Sequence, residues 1–83
     1  MIHYLKIKRC YADAIIEGRK NFEVRLNDKG YNAGDIIYFN HVCGNDGEDC
    51  PAHDIMNRPF KITYIHSGLG VEPNYVVFGI KEV

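Results

Sequence analysis

Tryptophan is absent from these 83 residues, and the aromatic content rests on six Tyr and four Phe. Cysteine occurs only three times, so a Cys43–Cys50 bridge would leave Cys10 over, and a lasting disulfide is not expected of an intracellular chain. Long apolar runs are missing: the longest, such as Ile36-Ile37-Tyr38-Phe39, fall far short of the ~20 residues of a membrane helix. A basic-then-apolar leader is missing too, because Met1-Ile2-His3-Tyr4-Leu5-Lys6 runs straight into strand-like sequence. Charge of one sign is scarce, with a net of −1 at pH 7, the wrong balance for a protein that coats long duplex DNA. A soluble single domain over residues 1–83, without a membrane partner and expected in the cytoplasm, is what these absences leave.

The charge is nonetheless uneven. Residues 1–29 carry seven Lys/Arg against four acids, whereas residues 30–54 carry five acids and no Lys or Arg. A local positive concavity for a small or short anionic ligand is therefore compatible with the overall balance.

Hydrophobic periodicity predicts a strand over 2–8, with His3, Leu5 and Ile7 on one face and Ile2, Tyr4, Lys6 and Lys8 on the other. A helix of about two turns follows from Cys10 to Glu17, its Ile15 and Ile16 facing a sheet and Gly18 standing at a left-handed C-cap. Residues 21–26 alternate: Phe22, Val24 and Leu26 oppose Asn21, Glu23 and Arg25. Further strands are expected over 36–41, over 60–66, where Phe60, Ile62 and Tyr64 share a face, and over 75–83, where Gly79 marks a bulge or a close backbone approach. Five strands and one early helix, with no second helix to cover the sheet, predict an α+β, mostly β fold. The sheet should curl into a small barrel with the helix at one end.

Four segments and one further residue carry a further signal: His3-Tyr4-Leu5-Lys6, then Gly18-Arg19-Lys20-Asn21-Phe22-Glu23-Val24-Arg25, then Asp28, then Gly34-Asp35, then the closing Tyr75-Val76-Val77-Phe78-Gly79-Ile80. In this order, with a G-x-K-x-x-E-x-R motif straight after the helix, the chain resembles the ASCH domains of the PUA-like superfamily, as a small single-domain member of bacterial or phage type. The resemblance covers nearly the whole chain outside residues 42–57. It implies a PUA-like barrel whose cleft between helix and strands binds RNA or a nucleotide-like ligand. It also implies Lys20, Glu23 and Arg25 as cleft residues, with His3 beside them. Some relatives hydrolyse an acylated cytidine such as N4-acetylcytidine. They carry Thr where this chain has Glu23, which removes the hydroxyl that activity uses.

The same residues have a chemistry of their own. Glu23 and Arg25, two apart on one strand, lie about 6.5–7 Å apart on a shared face. Arg grips phosphate oxygens in a bidentate way, Glu accepts from an exocyclic amine, and Lys20 hangs over both from the helix end. On this reading Lys20 and Arg25 are surface positions whose truncation abolishes binding and leaves stability within about 1 kcal/mol. The plainer alternative is that Glu23 and Arg25 are a solvated strand pair worth under about 1 kcal/mol. In an enzyme, Lys20 or Glu23 would be the base; no Ser–His or Cys–His pair is legible. Among the tyrosines, Tyr64 and Tyr75 are the leading candidates for stacking on a base, worth about 1–3 kcal/mol each. Core packing with a tied hydroxyl is the alternative for each.

His41-x-Cys43 and Cys50-x-x-His53 provide two thiolates and two imidazoles, a donor set for tetrahedral zinc. The alternative is a plain acidic hairpin loop with no cofactor, which would serve at most as the contact of a protein-interaction module.

Overall fold

The structure, a computed structural model, describes residues 1–44, 48–50 and 52–83. Its elements are β1 (Ile2–Lys8), α1 (Arg9–Ile16), β2 (Phe22–Leu26), β3 (Ile36–Cys43), a two-residue β4 (Asp49–Cys50), β5 (Phe60–His66) and β6 (Tyr75–Glu82). They form one sheet in the order β1-β3-β5-β6-β2, with β4 paired to β3 off this path. β1 and β3 run parallel, a pairing that needs a crossover, which α1 and β2 supply. The sheet curls into a half-barrel, as the lack of a second covering helix predicts.

Alternation places the core. His3, Leu5 and Ile7 of β1 point inward with Ile37 and Phe39 of β3, Phe60 and Ile62 of β5, and Val76, Phe78 and Ile80 of β6. The helix closes one end through Ala12 and Ile15. Gly18 stands at positive φ, +79°, beyond its C-cap, and the amides of Arg19 and Lys20 return to the Ala14 carbonyl. That turn delivers Lys20 to the mouth of the half-barrel.

Two bulges reset the phase of their strands. Between Ile62 and Tyr64 the β5 register slips, so that Thr63 is inserted opposite Gly79. Both Thr63 and Tyr64 then face outward, and Ile65 turns in against the core. Tyr64 therefore does not share the inner face of Phe60 and Ile62, as plain alternation predicts; it is 71% exposed. A Cβ at Gly79 would sit 2.6 Å from Thr63 Oγ1, which is why β6 carries glycine there. In β3, the slip between Tyr4 and Lys6 of its partner leaves Asn40 and His41 both exposed, and Val42 resumes the inner face.

His3 and Asp35 make a buried polar node. His3 Nε2 lies 2.8 Å from Asp35 Oδ2, the Asn32 amide donates to the same oxygen at 3.0 Å, and the Met1 ammonium lies 3.2 Å from Oδ1. The His3 ring packs 4.8 Å from that of Tyr31, whose own ring lies 5.0 Å from Phe78. Burial pushes the Tyr31 hydroxyl pKa up. The His3 hydrogen bond, with smaller help from the Asn32 amide and the terminal ammonium, holds the Asp35 carboxyl below the usual carboxylate range against the opposing effect of burial.

Two outcomes follow from these contacts. Gly79→Ala should destabilise the fold by about 1–3 kcal/mol through overpacking against Thr63, and adding Thr63→Ala in the same chain should restore most of the loss, as read from urea midpoints. A carboxylate with a depressed folded-state pKa stabilises above its unfolded value, and that contribution is lost as pH falls through the folded one. Stability should thus drop on acidification below about pH 4. Asp35→Asn should flatten that drop and cost about 1–3 kcal/mol at pH 7, measured by urea titrations between pH 2 and 7.

Candidate functional site

The two edge strands of the half-barrel, β1 and β2, are not joined by a ladder among the described residues. A cleft of about 470 Å³ occupies the seam between them. Lys6, Ile7 and Lys8 line one side, residues 22–26 of β2 the other, and Tyr11, Lys20 and Tyr75 complete the rim.

At its base lies Glu23. The charged face of β2 turns inward and the apolar face outward: Glu23 is buried at 4% exposure, while Phe22, Val24 and Leu26 stand 43–52% exposed. Burying a carboxylate is costly unless it is paired and hydrogen-bonded, and Glu23 is both. Lys20 Nζ donates to its Oε1 and, at 2.6 Å, to the Phe22 carbonyl. Arg25 Nε donates to Oε2 at 2.9 Å. Arg25 then reaches across the seam, its Nη2 donating to the Lys6 carbonyl at 2.6 Å. A side chain thus makes the link between β1 and β2 that a barrel would make with a backbone ladder.

The Lys20 ammonium also lies 5.3 Å from the Tyr11 ring centre and 5.1 Å from that of Phe22, within cation–π range. Its side chain and that of Arg25 are only 14% and 22% exposed. The expectation that both are surface groups, dispensable for stability, is therefore corrected. Each compensates a buried charge, so truncating either leaves Glu23 under-paired.

The motif residues Lys20, Glu23 and Arg25 converge, and Tyr75 lines the same cleft. Two other expected residues do not reach it. His3 faces the core and is committed to Asp35 and Tyr31, because alternation in β1 puts it on the side opposite Lys6 and Lys8. Tyr64 lies outside on β5, displaced by the Thr63 bulge. Lys6, Lys8, Tyr11 and Phe22 line the cleft beyond the residues expected from sequence. The signal for the first two was present, two lysines at i, i+2 on the outward face of a strand; for Tyr11 and Phe22 it was not, because only the turn at Gly18 brings α1 and β2 around Lys20.

In the acidic segment, His53 Nε2 lies 2.7 Å from Asp13 Oδ1, and its Nδ1 accepts the Ile55 amide at 3.1 Å. Both ring nitrogens are thereby engaged, Nδ1 as acceptor and Nε2 as donor, so His53 offers a metal no lone pair without giving up one of these bonds. Cys43 is a buried free thiol and His41 is exposed; the Cys50 side chain lies outside the described residues. Among the described residues no three His, Cys, Asp or Glu side chains are grouped to hold a metal ion, and no helix is long and apolar enough to cross a membrane.

The architecture is a curled half-barrel with a cation-rimmed cleft at its seam. The family model described as a domain of unknown function (DUF3850) matches residues 2–80, and the chain belongs to that family. No curated protein matches it.

Removing the central carboxylate should cost more than a surface pair would. Glu23→Ala leaves two cations facing each other and frees Arg25 from its anchor; a loss of about 2–4 kcal/mol is expected. Lys6→Ala, whose side chain is exposed and whose carbonyl survives, should change stability by less than about 0.5 kcal/mol. Chemical denaturation of both variants checks the contrast.

Proposed function

We propose that this protein is an ASCH-type, PUA-like module, working in the cytoplasm, that takes RNA or a nucleotide-like ligand into the seam cleft. The observation that carries the reading is the meeting of Lys20, Glu23 and Arg25 with Lys6 and Lys8 on one concavity: four cations against one carboxylate. Its volume of about 470 Å³ lies within the range of about 300–1,000 Å³ typical of small-molecule sites. Arg25 keeps guanidinium N–H groups beyond those given to Glu23 and Lys6, and these suit phosphate oxygens. Glu23 retains lone pairs for an exocyclic amine. The half-exposed rings of Tyr11 and Phe22 supply apolar walls for a base.

A second reading, hydrolysis of an acylated nucleoside such as N4-acetylcytidine, is favoured by one feature: a buried carboxylate beside two cations able to steady an oxyanion. Against it, the Lys20 nitrogen is turned toward two acceptors, Glu23 and the Phe22 carbonyl, rather than offering a lone pair to a proton. Binding is the reading the contacts favour.

The test uses residues outside the Glu23 network. Lys6→Ala/Lys8→Ala should weaken binding of a fluorescent single-stranded RNA at least tenfold and flatten its salt dependence, with the denaturation midpoint unchanged. Equal binding by parent and variant would reject the cleft. Release of acetate from N4-acetylcytidine by the parent would move the assignment to the hydrolytic reading.

A further inference from the structure

The inward turn of the charged face of β2 has a counterpart on the other side of the sheet. The outer face of β2, β6 and β5 carries Phe22, Val24 and Leu26, then Tyr75 and Val77, then Thr63 and Tyr64. Register sets these in rows: Val24 pairs with Val77, and Gly79 stands between Phe22 on one side and Tyr64 on the other. Two rings therefore project from strands separated by about 10 Å, with no side chain on the glycine between them and the Thr63 hydroxyl over it. No acid occupies these outward positions.

At the far end of the same face, two residues beyond Gly79, Lys81 pairs directly with Lys61. Like charges facing each other across strands destabilise a sheet, and among the described residues neither lysine is paired with an acid. The nearest carboxylate in sequence, Glu82, is committed to Arg58 by two hydrogen bonds of 2.7 Å. Lys61, Thr63, Lys81 and Glu82 line a shallow groove of about 640 Å³ that also borders Gly34, the Glu82 carboxylate there being the one held by Arg58. The outer face is thus an uncharged aromatic strip between two cationic ends. One end is the seam cleft, reached over Phe22 and Tyr75, and the other is the Lys61/Lys81 pair, about 7 Å along β6 from Gly79.

We propose that this strip is a second subsite, a track on which a single-stranded oligonucleotide leaves the cleft, stacks a base against Tyr64 and places a phosphate between Lys61 and Lys81. This deepens the reading above, on which it rests, by making the ligand an oligomer rather than a free nucleotide. The complementarity is of charge and shape: a strand alternates planar apolar faces with anions, and the protein offers rings and then a cation pair in that order. A second copy of this chain fits less well, because its own strip would bring Lys61 and Lys81 against like charges or apolar surface. The track from the cleft to Lys81 matches about four nucleotides, the low end of single-strand sites on small barrels.

The experiment compares a mononucleotide with RNA oligomers of two, four and six residues by fluorescence competition. Affinity should rise at least tenfold from the mononucleotide to the tetramer and level off at the hexamer. Tyr64→Ala and Lys61→Ala/Lys81→Ala, all at exposed positions, should weaken the tetramer fivefold or more and leave mononucleotide binding unchanged, and the lysine pair should also lower the salt slope. Tetramer binding unchanged in these variants, with Lys6→Ala/Lys8→Ala still defective, would overturn the track and spare the cleft. Loss of neither would reject the cleft reading as well. Sedimentation showing a dimer that Tyr64→Ala dissociates would assign the strip to self-association and overturn the track.

Discussion

A buried carboxylate organises this small domain. Glu23 sits under the seam of the half-barrel, and its charge is tolerable there only because Lys20 and Arg25 reach it from either side. Arg25 cannot serve Glu23 without lying across the gap to β1, where it caps the Lys6 carbonyl. The ion network and the closure of the fold are therefore one object. The cleft exists because the two edges are bridged by a guanidinium instead of fused by a ladder.

That network also decides which way β2 faces. With Glu23 and Arg25 turned in, Phe22, Val24 and Leu26 must turn out, since successive strand residues alternate. The apolar cost is spread over an outer strip continuous with Tyr75 and Tyr64, and exposed apolar surface of this kind marks interaction faces on soluble domains. The cleft and the strip are thus two consequences of a single inversion. The His3–Asp35 node does separate work: it ties the start of β1 to the turn before β3, holding in place the strand whose outward lysines rim the cleft.

Most elements are legible from local pattern. The strand over 60–66 matches to the residue, the strand over 2–8 matches in extent and face, and the helix moves by one residue at each end. Where the pattern misleads, a bulge is responsible. Plain alternation puts Tyr64 beside Ile62, but the inserted Thr63 shifts it to the outside. Likewise β3 appears to end at His41, because Asn40 and His41 break the inward sequence, yet it resumes at Val42 and runs to Cys43. A bulge answers to the partner strand, and the partner is not adjacent in sequence. The site was half legible for a related reason: Lys20, Glu23 and Arg25 lie within one short motif, whereas Lys6, Lys8 and Tyr11 join them only through packing.

Residue order alone determined the five long strands, the single helix, the glycine that ends it and the grouping of three charged residues behind it, since each follows from neighbours a few positions apart; the two-residue β4 (Asp49–Cys50) falls where a loop is expected. Only the tertiary structure decided that the charged face of β2 points into the protein. Alternation defines two faces but not which is inside; that depends on whether a carboxylate finds two cations and a seam to occupy, and the far edge of that seam, where Arg25 meets the Lys6 carbonyl, belongs to a strand distant in sequence.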